Sequence, residues 1–529
     1  MQILFNARIY TQDSKRPLAQ AIALDDYGRI LAVGENNPIL NLQTSRAQLY
    51  NLGGKTIWPG LTDSHQHLKT YALSLQMVNC ETGTKAECLR RVSEKASALA
   101  EDEWVLGHGW NHNVWPEGIG SAADLDQIPG NRPVYLTSKS LHASWANSRA
   151  LRLAGIDENT SDPKDGQIGR DVHGHPNGIL YEEAVKLVEK IIPKPKETAI
   201  AAAIKAVQPG LHAMGLTALH DFDELDCLGA LQHLHREGDL SLRVMKGIPL
   251  KDMPAAINLR MQFGFGDDFL HLGWVKCFAD GALGPQTAAL QAPYEGSGTH
   301  TGVLLKTADE FFEIGVNAVT NGLSLAIHAI GDLANHTVLD AYARLRAYEK
   351  SHQLPAGRHR IEHVQLLLPE DLGRLAELSI IAAVQPLHVT SDMYTADRYW
   401  GKRARHAYPF HSLLDAGTSL IFGSDAPVET HNPFCGIHAA VTRQRPDGQP
   451  SPEGWYPLEK ISMAQALHGY TAAPAAASGL GDRLGMLSPG YWGDLIVLEQ
   501  DPFELHPQEL PAIRPIAVMV AGKWVWQGL

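Results

Sequence analysis

Apolar and polar positions divide the 529-residue chain into a centre and two matching ends. In the first 55 or so residues, short apolar runs are cut by turn residues. Gln20-Ala21-Ile22-Ala23-Leu24 and Arg29-Ile30-Leu31-Ala32-Val33 flank Asp25-Asp26-Tyr27-Gly28, the pattern of a hairpin. The C-terminal end has the same texture. Asp494-Leu495-Ile496-Val497-Leu498 and Ile516-Ala517-Val518-Met519-Val520 read as strands, and Ala521-Gly522 turns into Lys523-Trp524-Val525-Trp526. Neither end can bury a core alone. Together, residues 1–56 and 485–529 predict one small β-sandwich domain, which the chain leaves at Trp58 and re-enters near Gly485.

Between the ends, β-branched runs alternate with Ala-, Leu- and Glu-rich helical stretches such as Leu333 to Lys350 and Pro369 to Leu378. That alternation marks repeated strand–helix units. Candidate strands lie at Thr56 to His67, Leu216 to Asp221, Leu242 to Met245, Leu272 to Lys276, Leu323 to His328, Arg360 to His363, Ile380 to Val384 and Ser419 to Gly423. Eight such units predict an α/β fold with a (β/α)8, TIM-like barrel over residues 57–484. The first and second strands are about 150 residues apart, against roughly 30 for an ordinary βαβ unit. Residues 101–190 hold runs of their own, Trp104 to Gly107 and Pro133 to Thr137, and are read as an insertion after the first barrel strand. The alternative places these runs in the barrel and displaces the second and third strands. The insertion is preferred because βα-loops are where such barrels accept extra sequence.

Composition narrows the functional classes. A net charge of −13 without a long Lys/Arg run argues against nucleic acid and anionic membranes as partners. No run of 18 apolar residues exists. The N-terminus lacks a basic region followed by an apolar stretch, so no signal peptide is expected. Five scattered Cys without a Cys-x-x-Cys pair suit a reducing cytoplasm. The expected partner is a small-molecule substrate, and self-association into a homo-oligomer is left open.

The compositional oddity is 25 His. His-x-His should arise about once by chance in such a chain and occurs three times. His173-Gly174-His175 lies in a polar loop, and His233-Leu234-His235 lies in a helical pattern, where i and i+2 do not share a face. Only His65-Gln66-His67 ends a candidate strand, where alternate side chains point the same way. Catalytic groups of these barrels stand at the C-terminal ends of strands. That rule selects His65 and His67, Lys276 after the fourth strand, His328 after the fifth, His363 after the sixth and Asp425 after the eighth. One such His is usually a hydrogen-bonded core residue. All six together point to a divalent metal, zinc first, then manganese, iron or nickel.

The words around these residues resemble the amidohydrolase superfamily of metal-dependent hydrolases. In detail they are similar to its YtcJ-like branch, which also contains N-substituted formamide deformylases. They are Pro59-Gly60-Leu61-Thr62-Asp63-Ser64-His65-Gln66-His67, Gly107-His108-Gly109-Trp110, Val275-Lys276-Cys277-Phe278-Ala279-Asp280-Gly281, His328-Ala329-Ile330-Gly331-Asp332, Ile361-Glu362-His363-Val364-Gln365 and Gly423-Ser424-Asp425-Ala426-Pro427. The resemblance implies that His65, His67 and Asp425 bind one metal, that His328 and His363 bind a second, and that Lys276 bridges them as N6-carboxylysine. The alternative for Lys276 is an ion pair with Asp280 in a one-metal site. The implied chemistry is hydrolysis of an amide-like C–N bond by metal-activated hydroxide, with Asp425 as general base and then acid. A deaminase, a lactone or ester hydrolase, or a non-catalytic scaffold are the competing readings.

Further candidates are His142, to hydrogen-bond substrate or an oxyanion or else as a structural loop residue, Trp110 and Trp145 as pocket walls or packing, and Arg403, with Trp400 and Arg405 nearby, to meet a substrate carboxylate or else as a solvated loop charge. Asp332 is a candidate to support a ligand. Glu362, next to His363 on a strand, should face away from the barrel interior.

Overall fold

The computed structural model describes residues 1–527 apart from 101, 113, 114, 139–142 and 165. It divides into two compact units, Met1–Thr70 with Ile204–Leu529, and Tyr71–Ala203. No helix among the described residues is long and apolar enough to cross a membrane.

The first unit contains an eight-stranded parallel sheet in sequential order. Its strands are β1 (Leu61–Gln66), β2 (Leu216–Asp221), β3 (Arg243–Pro249), β4 (Leu270–Phe278), β5 (Leu325–Ala329), β6 (Arg360–His363), β7 (Ile381–Val384) and β8 (Leu420–Phe422). They coincide with the eight candidate strands read from sequence; most are apolar runs, as strands buried on both faces tend to be, while β1 and β6 carry polar residues of the cavity. The barrel is drawn together just beyond β8, where Asp425 N donates to His65 O (2.7 Å) and His67 N to Ala426 O (3.0 Å). Gly423 permits this approach, since a Cβ there would lie 2.5 Å from His65 N.

The run Thr56 to His67 is two strands, not one. Thr56–Pro59 pairs with Leu495–Leu498 from the other chain end, and β1 starts at Leu61. Gly60 makes the hinge, because a Cβ would meet Thr217 Oγ1 at 2.3 Å. Thr56–Pro59 therefore belongs to a six-stranded sheet with Arg8–Tyr10, Leu18–Ala19, Ala517–Val520 and Lys523–Gln527. A four-stranded sheet of Gln2–Phe5, Ala21–Leu24, Ile30–Gly34 and Gln48–Asn51 faces it, with Leu4, Ile22, Ile57, Val497 and Met519 buried between them. A buried Arg243–Asp494 pair, Nε to Oδ2 at 2.6 Å and Nη2 to Oδ1 at 3.0 Å, ties this sandwich to the barrel.

The second unit is wider than the 101–190 stretch marked in the sequence. It has a six-stranded sheet running from Val78–Asn79 through Val105–Trp110, Val134–Ser138, Ala143–Ala146 and Pro176–Glu182 to Gly166–Arg170. Helix Lys85–Ser97, capped by Thr84, packs on it.

Candidate metal centre

His65 is the penultimate residue of β1, and its ring is held by a chain of polar contacts. Its Nδ1 meets Glu362 Oε2 at 2.5 Å, and Glu362 also receives two hydrogen bonds from Arg360. A carboxylate on Nδ1–H leaves the lone pair on Nε2. The backbone below is locked by Asp63, which accepts from His65 N (3.2 Å) and Ser424 N (2.9 Å). Glu362 therefore faces into the barrel, contrary to the alternation argument. The strand rule places 360 and 362 on one face, and both are interior. At His363 the backbone leaves the strand with φ +74°, followed by φ +44° at Val364, and this twist brings His363 to the same cavity as His65.

Two more histidines are fixed by the same logic. His328 Nε2 lies 2.8 Å from Gly281 O, so it carries the proton and leaves Nδ1 free. His363 Nδ1 donates to Gln385 Oε1 at 2.7 Å, leaving Nε2 free. Ring centroids are 4.5 Å apart for His328–His363 and 5.0 Å for His65–His363. Burial pushes His65 and His328 down to about 4, aided in each case by Lys276, and holds His363 well below the usual imidazole range, aided by His328. All three are neutral at pH 7, the state a metal requires. His67 is half-exposed by comparison. Burial would lower it, but Asp425, with Oδ1 3.3 Å from Nε2, outweighs that and raises it.

Asp425 lies between the two ends of the His-x-His pair, with Oδ1 also 3.6 Å from His65 Nε2. Its φ of +59° is strained backbone for a non-glycine residue. Burial alone would favour its neutral acid. The hydrogen bond from His67 and the surrounding imidazoles prevail and hold it well below the usual carboxylate range. Donor atoms of His65, His67 and Asp425 all lie within 4.8 Å of one another, a spacing that a zinc-sized ion can gather.

Lys276, near the end of β4, stands 3.4 Å from His65 Nε2, with the rings of Phe222 and Phe278 at 4.8 and 5.2 Å. Burial pushes it down to about 8. Among the described residues it has no ion-pair partner. Asp280 is engaged elsewhere, accepting from the amides of Ala289 (2.9 Å), Ile330 (3.0 Å) and Gly331 (2.8 Å). Asp332 likewise accepts from Gln291 N and Leu333 N.

His65, His67, Lys276, His328, His363 and Asp425 all line one cavity of about 350 Å³, completed by Phe278, Ile330, Val428, Gln365, His388, Asp392 and Glu429 among others. The donor set fits a divalent metal: neutral imidazole nitrogens with fixed tautomers, a carboxylate and a lysine of lowered basicity. A second cluster of possible donors, Asp221, Asp223 and Cys227, adjoins His67 through Asp223. There Lys246 Nζ already sits 3.0 Å from Asp221 Oδ2, and Asp223 Oδ1 faces His67 Nδ1 at 3.9 Å.

Arg403 does not line the cavity. Its guanidinium donates to the carbonyls of Ala292 (2.7 Å), Pro293 (2.6 Å) and Trp400 (3.2 Å), which leaves it a loop-pinning role rather than a substrate carboxylate to meet. Trp110 is in the core of the second unit, bonded to Leu136 O (2.9 Å) and packed near Trp115 and Trp145. His142 lies outside the described residues. The sequence reading passed over His388 and Gln365. They follow the ends of β7 and β6, so the strand-end rule extended by a few residues would have included them.

An amidohydrolase family model matches residues 48–526. "Protein LONG AFTER FAR-RED 3" of Arabidopsis thaliana is 32% identical over 99% of this chain and 91% of its own length. "Putative amidohydrolase YtcJ" of Bacillus subtilis is 30% identical over 98% of each. "N-substituted formamide deformylase" of Arthrobacter pascens is 28% identical over 98% of this chain and 97% of its own length. Among solved structures, an uncharacterized metal-dependent hydrolase from Pyrococcus furiosus is 29% identical with a TM-score of 0.80, covering 95% of this chain and 100% of that one.

Proposed function

The chain belongs to the amidohydrolase family of metal-dependent hydrolases, in its YtcJ-like branch, and from that premise we propose that it cleaves an amide-like C–N bond of a small molecule such as an N-acyl or N-formyl amine. The observation that carries this is the convergence of three tautomer-fixed imidazoles, His67, Lys276 and Asp425 on one cavity. The relative named as an N-substituted formamide deformylase supports the bond type.

In this reading His65, His67 and Asp425 would hold one zinc ion, and His328 and His363 a second. Lys276 would serve as a ligand too if its neutral amine added carbon dioxide and released a proton, which would replace a repelling ammonium by an anionic two-oxygen carbamate. The metal supplies Lewis acidity, making water acidic near neutral pH and polarising the acyl group. Asp425, ionised at neutral pH, takes the proton of the attacking water and delivers it to the leaving nitrogen. Glu362 keeps His65 Nε2 unprotonated, and Gln385 does the same for His363 Nε2. Phe278, Ile330 and Val428 supply apolar wall for the substrate's organic part.

The test is an assay of metal-reconstituted protein against N-formyl and N-acyl amines, dipeptides, lactones, esters and aminated heterocycles. Turnover concentrated on the N-acyl and N-formyl amines is expected. Turnover confined to esters or aminated heterocycles would replace the amide reading.

A further inference from the structure

Two buried side chains on the cavity wall each carry a polar atom that no group among the described residues satisfies. His388 lies in the first turn of helix Pro386–Trp400 after β7, and Gln365 lies two residues beyond His363. They are 7% and 3% exposed. Gln365 Nε2 stands 3.2 Å from His388 Nδ1. An amide nitrogen can only donate, so Nδ1 accepts, and the proton of neutral His388 sits on Nε2. Among the described residues that Nε2 has no hydrogen-bond partner, and neither has Gln365 Oε1. The Asp425 carboxylate comes no nearer to Nε2 than 3.9 Å, beyond hydrogen-bond reach. Buried polar groups are nearly always satisfied, and one aimed into a cavity beside reactive groups marks a ligand contact.

We propose that His388 touches the substrate, donating from Nε2–H to the acyl oxygen as negative charge develops there, and that Gln365 is the positioning residue that keeps the proton on Nε2. This deepens the hydrolase reading above and rests on it. It also narrows the ligand to a compound whose reacting carbon bears an oxygen, which an aminated heterocycle lacks. A donor fixed in a dry wall needs no reorganisation when charge appears, so it strengthens from ground state to transition state. Its loss should therefore fall on kcat more than on KM.

The experiment uses the metal-reconstituted full chain with N-butylformamide and butyl formate, an amide and an ester of one acyl group. His388→Phe, His388→Gln and Gln365→Met are compared with the unmodified protein for kcat, KM, metal content and melting temperature. His388→Phe should lower kcat by about 10²–10³ with metal content unchanged. His388→Gln, which restores an N–H at similar reach, should recover at least about tenfold of that loss, and Gln365→Met should fall between. Full kcat in His388→Phe overturns the proposal while the hydrolase reading stands. So does equal loss in His388→Phe and His388→Gln, or loss that tracks metal content. Cleavage of the ester alone removes the amide reading, and the same variants then decide the role of His388 on the ester. Cleavage of neither probe overturns both.

Discussion

Glu362 gives the sharpest prediction, because its carboxylate does two jobs in a fully buried place. It holds His65 Nδ1 at 2.5 Å and answers the charge of Arg360, whose guanidinium otherwise meets His220 Nδ1 (3.0 Å), Ser64 O (2.7 Å) and the face of Trp274 at 4.4 Å. Glu362→Gln keeps the shape and one acceptor but removes the charge. Loss of an outer partner of a metal-binding histidine costs about 10- to 100-fold in metal affinity, or roughly 1.4 to 2.8 kcal/mol. Uncovering a buried cation costs about 3–5 kcal/mol of stability, and the retained acceptor argues for the lower end. The two effects separate by experiment: zinc affinity by competition with a chelating indicator, and stability by chemical denaturation of the metal-free protein. Burial favours the neutral acid, but Arg360 and His65 prevail and hold Glu362 well below its ordinary 4.5. A depressed folded value means stability that is present above 4.5 and is lost as pH falls toward the folded value. Glu362→Gln should flatten that part of the acid limb. Zinc affinity within twofold of the unmodified protein would refute the claim that Glu362 prepares His65.

Other consequences are independent of this one. Asp494→Ala should destabilise the first unit by about 3–5 kcal/mol, because it strands the buried Arg243; the double change Arg243→Met with Asp494→Leu should recover most of that in denaturant titration. Lys276, pushed down to about 8, leaves roughly one amine in ten neutral at pH 7 and half at pH 8. Metal occupancy should therefore rise with bicarbonate and with pH across that interval, and Lys276→Ala should show neither response in metal analysis. The carboxylates of Asp392 and Glu429 line the cavity, and among the described residues no arginine does. 4-Formamidobutanoate should thus be cleaved with a kcat/KM about tenfold below that of N-butylformamide, and Glu429→Gln should narrow the gap.

The barrel was legible because most of its strands are buried on both faces and show as apolar or β-branched runs, and because eight strand–helix units close in only a few ways. The six cavity-lining residues His65, His67, Lys276, His328, His363 and Asp425 were legible because strand ends converge on one face. The break at Gly60 was not, since Thr56–Pro59 and β1 follow one another with a single residue between them and the partner of the first half lies more than 400 residues away. Glu362 was misread because alternation holds only while the strand continues, and the backbone turns at His363. The pinning role of Arg403 was not legible because its partners are main-chain carbonyls, which no side-chain pattern reveals. His388 and Gln365 sit on a helix turn and a loop, where neither period applies.

The most direct test of the central claim is the turnover of Asp425→Asn alongside its metal content. Asn keeps the size and one oxygen at the position that faces His65 and His67, so fold and much of the metal should persist. Proton transfer to the leaving nitrogen should not, and kcat on the best N-formyl or N-acyl amine should fall by about 10²–10⁴. Undiminished turnover in a metal-loaded Asp425→Asn protein would contradict the account.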